Sequence, residues 1–132
     1  MSMTSATQAY TDFVSPFSIK SNIETEVELL LDITRKLRSS ELDRPNDFSS
    51  FANAIYKNRK IWTIFASNVT HSENKLPADL KANIFYLSEF VHAYSRRVLK
   101  DELDIDPLIE VNAAVLRGLT RKYTTIVSAS SG

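Results

Sequence analysis

The segment FSSFANAIYKNRKIWTIFASNV, residues 48–69, decides the fold class. Its apolar residues recur at spacings of three and four, the pattern of an amphipathic helix with one buried face. Asp47, directly before the segment, is a residue type that caps helix N-termini. The segment therefore predicts a helix over residues 48–69. Its predicted buried stripe comprises Phe48, Phe51, Ile55, Trp62, Phe65, Ala66 and Val69.

Three other segments have the same helical periodicity. The first is predicted to be a helix over 22–39, with two competing starts: Ser15-Pro16, or the capping box of Ser21 and Glu24, which is better placed because its apolar stripe follows at once. Pro77 opens a predicted helix over 77–100, and the cap-plus-proline pair Asp106-Pro107 opens one over 107–122. The predicted stripes are Ile23, Val27, Leu30, Thr34 and Leu37; Leu80, Ile84, Leu87, Val91, Tyr94 and Val98; and Leu108, Val111, Val115 and Leu119.

These segments predict an all-α fold, a small antiparallel bundle of about four helices with a loose N-terminal arm. The chain has only two glycines, which argues against tight hairpins and against phosphate-cradling loops. We expect residues 1–20 to form an arm or a short docking helix, 21–122 the bundle domain, and 123–132 a tail whose last residues are disordered.

Composition limits the possible function classes. The chain has no cysteine, so disulfides and cysteine-ligated zinc are excluded. Sixteen basic residues balance sixteen acidic ones, whereas a nucleic-acid-binding protein normally has a basic excess. No apolar run approaches the roughly 18–20 residues of a membrane span, and the N-terminus does not resemble a signal peptide. We therefore expect a cytoplasmic protein that binds neither nucleic acid nor membrane.

No set of residues predicts catalysis. His71 and His92 have no companion ligand at a metal-binding spacing. The acidic run of residues 101–106 lacks the glycine and the terminal glutamate of a calcium loop, so we interpret it as a helix-breaking linker with Asp106 as a cap. No nucleophile elbow is present. The sequence predicts a protein that is not an enzyme, with no catalytic residue, cofactor, metal or small-molecule substrate.

Polar residues lie on or beside three of the apolar stripes. On a helical wheel, Asn58 falls about 40° and Arg59 about 60° from Trp62. Asn83 and Asn112 lie at similar angles from the stripes of the third and fourth helices. Three interpretations remain open for the asparagines: boundary positions that reach water, an interior network that fixes helix register, or a groove in which the amides and Arg59 hold a partner.

Two large apolar residues fall on the polar sides of their helices. Ile64 lies about 160° from Trp62, and Phe85 lies about 160° from Leu87, close to His92 and the rim residue Leu99. They predict either one protein-binding patch or packing beneath the N-terminal arm. The candidate partner-binding residues are thus Ile64, Phe85, Arg59, Asn58 and Leu99, whereas Trp62 is predicted to anchor the core.

An ordered set of motifs resembles a known family. The chain contains NRKIWTIF (58–65), NKLPADLKANI (74–84) and LIEVNAAVLRGL (108–119), preceded by QAY (8–10) and ETE (24–26). In this order and spacing they resemble the FlaF family of flagellar proteins from alphaproteobacteria over residues 8–119. The family often has Ser-Pro at the start of the first helix, where this chain has Ser21-Asn22, and the tail after Leu119 extends beyond the family pattern.

The resemblance implies a cytoplasmic, non-enzymatic factor needed for flagellin synthesis or export. It implies flagellin as the partner, bound as by an export chaperone, and a second regulator called FlbT as a further partner. Two alternatives remain. One is an RNA-binding translational regulator of flagellin messages, which would need a basic stripe such as Lys57, Lys60, Arg96 and Arg97. The other is an adaptor that acts only through other flagellar regulators.

Overall fold

A computed structural model describes the backbone of residues 22–71 and 76–131 and the side chains of residues 26–71 and 76–118. The described chain contains four α-helices and no β-strand. They are α1 (Asn22–Leu42), α2 (Phe48–Val69), α3 (Ala78–Asp101) and α4 (Asp106–Ser131). The predicted all-α bundle of four helices is confirmed. The N-terminal arm, with Ser15, Pro16 and Ser21, lies outside the described residues.

The helix boundaries follow the capping signals closely, with one exception. The carboxylate of Asp47 accepts hydrogen bonds from the backbone N–H of Ser50 at 3.1 Å and from its hydroxyl at 2.7 Å, which confirms the predicted cap of α2. These two bonds lower the pKa of Asp47 below its ordinary value. The exception is α4, which continues to Ser131 although its predicted end was residue 122. Residues 119–131 contain no glycine or proline to stop it.

The helices pack in the cyclic order α4–α1–α2–α3, and the contact between α3 and α4 is the least extensive. Trp62 of α2 lies at the centre of the core with no exposed surface, and its ring meets Phe65 edge-on at 5.4 Å. Buried positions recur at three- and four-residue spacings in every helix, which is typical of knobs-into-holes packing in helical bundles. The large side chains that are almost fully buried with Trp62 are Phe51, Phe65, Leu30, Leu37, Ile55, Ile105 and Leu108.

Two predicted stripes are rotated relative to the observed ones. On α3, Ser88 and Ser95 are buried, whereas Leu87 and Tyr94 are only partly buried. The small serine side chains suit a close helix contact, and the hydroxyl of Ser88 donates to the carbonyl oxygen of Trp62 at 3.0 Å. The hydrophobic pattern of the sequence alone did not indicate that the face of α3 with Ser88 and Ser95 is buried. On α1 the observed buried side chains are Glu26, Leu30, Ile33 and Leu37.

Arg44, in the turn between α1 and α2, ties that turn to the end of α3. Its guanidinium donates to the carbonyl oxygens of Val98 at 2.9 Å and Leu103 at 3.0 Å, and it lies 4.3 Å from the ring centroid of Phe51. Because the last carbonyls of a helix have no partner within the helix, Arg44 satisfies an acceptor that α3 leaves open. The sequence analysis did not identify this residue.

None of the helices in the described part of the chain combines the length and the apolarity that crossing a bilayer requires.

Candidate protein-binding surfaces

A chain of polar side chains crosses the interior and joins three helices. The indole Nε1–H of Trp62 donates to Oδ1 of Asn112 at 2.8 Å. Nδ2 of Asn112 donates to Oδ1 of Asn58 at 2.8 Å and to the hydroxyl of Thr34 at 3.0 Å. That hydroxyl in turn donates to the carbonyl oxygen of Leu30 at 2.7 Å. The network links α1, α2 and α4 at one level of the bundle.

The network decides among the three interpretations of the asparagines. Asn58 and Asn112 have no exposed surface, so both belong to the interior network. Asn58 was also a candidate partner-binding residue, and this part of the prediction needs correction because its side chain is out of reach of a partner. Asn83 is exposed and takes no part in the network.

Arg59 is half-buried and faces α3. Its Nε–H donates to Nδ1 of His92 at 3.4 Å, and the hydroxyl of Thr63 lies 3.1 Å from Nε2 of the same ring. The Thr63 hydroxyl donates to the carbonyl oxygen of Arg59, so the ring's Nε2–H is the donor to Thr63. Burial and the charges of Arg59 and Arg96 lower the pKa of His92 below its ordinary value, and Glu89 partly offsets this. The neutral form of His92 is therefore favoured, and its Nδ1 accepts the hydrogen bond that orients Arg59 between α2 and α3.

The outer face of α3 presents three exposed aromatic side chains. Phe85 is 44% exposed, Tyr86 71% and Phe90 37%. Phe90 also stacks on Tyr94 at 5.4 Å between ring centroids with an interplanar angle of 17°. We call Phe85, Tyr86 and Phe90 the aromatic surface. Three large exposed aromatic rings within six residues of one helix are unusual on a protein surface that has no partner.

Two shallow grooves border the aromatic surface. Phe85 lines a groove of about 440 Å³ between α2 and α3, together with Ala66, Ala93 and the polar residues Glu89, His92 and Arg96. Phe90 lines a second groove, of about 480 Å³, between α3 and α4, the two neighbouring helices with the least extensive contact. The apolar residues that line this groove with Phe90 are Leu87, Pro107, Val111, Ala113 and Ala114. The aromatic surface thus continues on both sides into partly apolar depressions.

Ile64 lies on the other side of α2. It is half-buried and lines a groove between α1 and α2 of about 240 Å³, with Leu29, Ile33 and Ile61, and with Lys36, Lys57, Lys60 and Asp32 also lining it. We call this the lysine-rimmed groove. Ile64 and Phe85 line different grooves, so the structure does not bring them together as one patch. Leu99 is partly buried and packs against the core.

A group of carboxylates lies where α1 approaches the loop before α4. Glu41, Asp104 and Asp106 each place an oxygen within 4.8 Å of the others. Asp104 Oδ1 accepts the backbone N–H of Asp106 at 3.0 Å, so Asp104, and not the predicted Asp106, supplies the side-chain cap of α4. Each of the three carboxylates offers one oxygen of the kind that binds cations. The hydrogen bond to Asp106 gives Asp104 a structural role at the start of α4 as well.

Glu26 is the most unusual titratable group in the described chain. The sequence analysis noted it only as part of the ETE motif, yet it is fully buried, and among the described residues neither carboxyl oxygen has a hydrogen-bond partner. Burial raises its pKa from 4.5 to about 9, so the carboxyl is protonated at neutral pH. Its spacing of four from Leu30 and seven from Ile33 was the signal in the sequence, since these positions share one helix face.

The family model described as flagellar protein FlaF matches residues 6–119. The chain belongs to the FlaF family. No curated protein and no solved structure matches the chain. The match to the FlaF model covers the whole of α1, α2 and α3 and the first part of α4, and therefore includes the interior network, the aromatic surface and the lysine-rimmed groove.

The sequence analysis found Phe85 but missed Tyr86 and Phe90. A signal for both was available. The segment 78–101 already contains enough aliphatic residues for a buried stripe, so four aromatic residues in the same helix are more than one buried face accommodates. The aromatic residues that the buried face does not accommodate had to lie at the surface.

Proposed function

We propose that this FlaF-family protein is a non-enzymatic, cytoplasmic flagellar biosynthesis factor that binds flagellin as an export chaperone and thereby regulates flagellin synthesis and secretion. The observation that supports it most is the aromatic surface of α3. Exposed apolar side chains beside shallow grooves are suited to an amphipathic helix, whose apolar face would otherwise promote aggregation.

The surroundings of the aromatic surface favour reversible binding. Glu89, His92 and Arg96 border it on one side, so a bound helix would keep contact with polar groups and water. Rim charges of this kind tune association rates and orientation more than they add affinity. A carrier that must release its cargo before export needs such moderate affinity. FlbT is a second proposed partner, and it would bind elsewhere on the protein or compete for the same surface.

The placement of basic residues gives little support to the RNA-binding alternative. Lys57 and Lys60 line the groove between α1 and α2, whereas Arg96 lines the groove between α2 and α3. The expected convergence of these residues on one side is therefore not observed among the described side chains. Filter binding of flagellin messenger RNA at several salt concentrations tests this alternative, since phosphate contacts would give a steep loss of affinity with salt.

The experiment that tests the proposal is a binding assay with the full-length protein and purified flagellin only. A stoichiometric complex on size-exclusion chromatography supports the chaperone function. If a complex forms only after another flagellar regulator is added, the protein is an adaptor without direct flagellin contact.

A further inference from the structure

The lysine-rimmed groove lies across α2 from the aromatic surface and differs from it in chemistry. Its floor is aliphatic: Ile33 and Ile61 are buried, and Leu29 and Ile64 are half-buried. None of the described residues that line it is aromatic. A partner for this floor must therefore offer aliphatic side chains, and not the stacked bases that nucleic-acid-binding grooves take on aromatic rings.

The rim of the groove carries an excess of positive charge. Among the described residues, three lysines and one aspartate line it. Asp32 is paired with Lys36 at 3.1 Å between carboxylate and ammonium, and the Lys60 ammonium lies 5.8 Å from the ring centroid of Tyr56. Lys57 and Lys60 are exposed on the opposite wall. Long lysine side chains can lie along an apolar surface while their ammonium groups reach water, so they extend the groove as well as charging it.

The size of the groove indicates the kind of partner. Its volume of about 240 Å³ is below the roughly 300–1,000 Å³ of small-molecule pockets. Two antiparallel helices with an aliphatic seam between them leave a long, shallow depression, which accepts a row of side chains from a third helix. The side chains at i, i+4 and i+7 of such a helix would follow the seam.

We infer that the lysine-rimmed groove binds an amphipathic helix of a protein partner whose aliphatic stripe is flanked by glutamate or aspartate. Charge complementarity argues for this occupant over the chain's own N-terminal segment. Residues 1–21 contain one aspartate and one lysine, Asp12 and Lys20, and so have no acidic excess. This inference concerns a different surface from the proposed flagellin contact and does not depend on it.

Two synthetic helical peptides without tryptophan test the inference with the full-length protein. Both have the same leucine stripe; one is flanked by glutamate and the other by lysine. We expect the glutamate peptide to bind at least about ten-fold more tightly in titrations followed by fluorescence anisotropy. Lys57→Glu should reverse this preference, and Ile64→Asp should abolish binding. Arg38→Glu, an exposed charge reversal on α1 outside the groove, should change affinity less than about two-fold.

The peptide-binding test remains interpretable even if the Ile64→Asp variant unfolds. Trp62 is the only tryptophan, so its emission reports the core of every variant, and the exposed Lys57→Glu substitution tests the charge requirement alone.

Methyl chemical-shift changes should concentrate on Leu29, Ile33, Ile61 and Ile64. Equal binding of both peptides, no saturable binding, or shifts at another surface would overturn the inference. Self-association of the peptide-free protein that Lys57→Glu removes would also overturn it, because the occupant would then be a second copy.

Discussion

Trp62 of α2 and Asn112 of α4 are joined by a buried hydrogen bond of 2.8 Å between the indole Nε1–H and the amide oxygen. The same amide donates to Asn58 and Thr34, so one asparagine holds three other side chains on two further elements of the bundle. A buried polar group costs little when it is paired and much when its partner is removed. Asn112 therefore acts as the residue that fixes the rotation of α4 against α1 and α2.

Asn112→Ala should lower the free energy of unfolding by about 1–3 kcal/mol, because it leaves the Trp62 indole and the Asn58 amide without their partner. Urea unfolding followed by circular dichroism measures this. Asn83→Ala is the matched control: Asn83 is exposed, and its replacement should change stability by less than about 0.5 kcal/mol. Equal effects of the two substitutions would show that the network contributes nothing specific.

Glu26 should make the protein less stable as pH rises. Its carboxyl has a pKa near 9 when folded and 4.5 as its ordinary value, so between these pH values the folded state binds the extra proton. Stability attributable to Glu26 is fully present below pH 4.5 and declines by up to ~1.4 kcal/mol per pH unit as pH rises toward 9. Glu26→Gln should remove this slope in unfolding curves measured from pH 5 to 9.

Glu28→Gln provides the control for the pH experiment, since Glu28 is an exposed glutamate two residues further along α1. It should leave the slope of the wild-type protein in place. Parallel pH profiles for Glu26→Gln and the wild-type protein would contradict the burial of the carboxyl at this position.

Arg44 should not be replaceable by lysine. Its two hydrogen bonds to backbone carbonyls and its contact with the Phe51 ring depend on a planar guanidinium. We expect Arg44→Lys and Arg44→Ala each to cost about 1–3 kcal/mol in urea unfolding, because carbonyls at the end of α3 lose a charged donor. Arg38→Lys, at an exposed position on α1, should be neutral. Full retention of stability by Arg44→Lys would rule out the bidentate contact.

His92 should titrate below its ordinary pKa, for which burial is the main cause and the Arg59 charge the next. Arg59→Gln should therefore raise the pKa of His92, as measured by the pH dependence of its ring proton signals in NMR spectra. Lys57→Gln removes a charge from the same helix on the side of α1 and should leave His92 nearly unchanged. An unaltered His92 pKa in Arg59→Gln would contradict the observed pairing.

The sequence was sufficient for the number of helices and for where they begin, but not for the end of α4 or for the rotation of the helices about their own axes. Asp47 and Pro77 mark helix starts through local chemistry, so their effect is visible in a few neighbouring residues. Asn58 and Asn112 were both placed near apolar stripes, yet their pairing depends on how two helices distant in sequence meet. Glu26 and Ser88 were missed because a hydrophobic pattern assigns polar residues to the surface, whereas the packed interior has buried both.

The candidate surfaces were predictable only in part for the same reason. Ile64 and Phe85 were recognised as apolar residues off their stripes, but a helical wheel does not show which neighbouring helix each one faces. The structure places Ile64 of α2 toward α1 and Phe85 of α3 toward α2, and so separates them into two surfaces. Two surfaces of different chemistry leave room for two partners.

Isothermal titration of purified flagellin into the full-length protein, in the absence of any other flagellar factor, tests the proposed function most directly. Tyr86→Ser and Tyr56→Ser form a matched pair, since both tyrosines are well exposed, at 71% and 59%, but only Tyr86 belongs to the aromatic surface. We predict a one-to-one complex for the wild-type protein and Tyr56→Ser, and binding weakened at least about ten-fold in Tyr86→Ser and Phe85→Asp. The absence of a complex with the wild-type protein would contradict flagellin binding, and equal affinities of all variants would contradict the aromatic surface as its site.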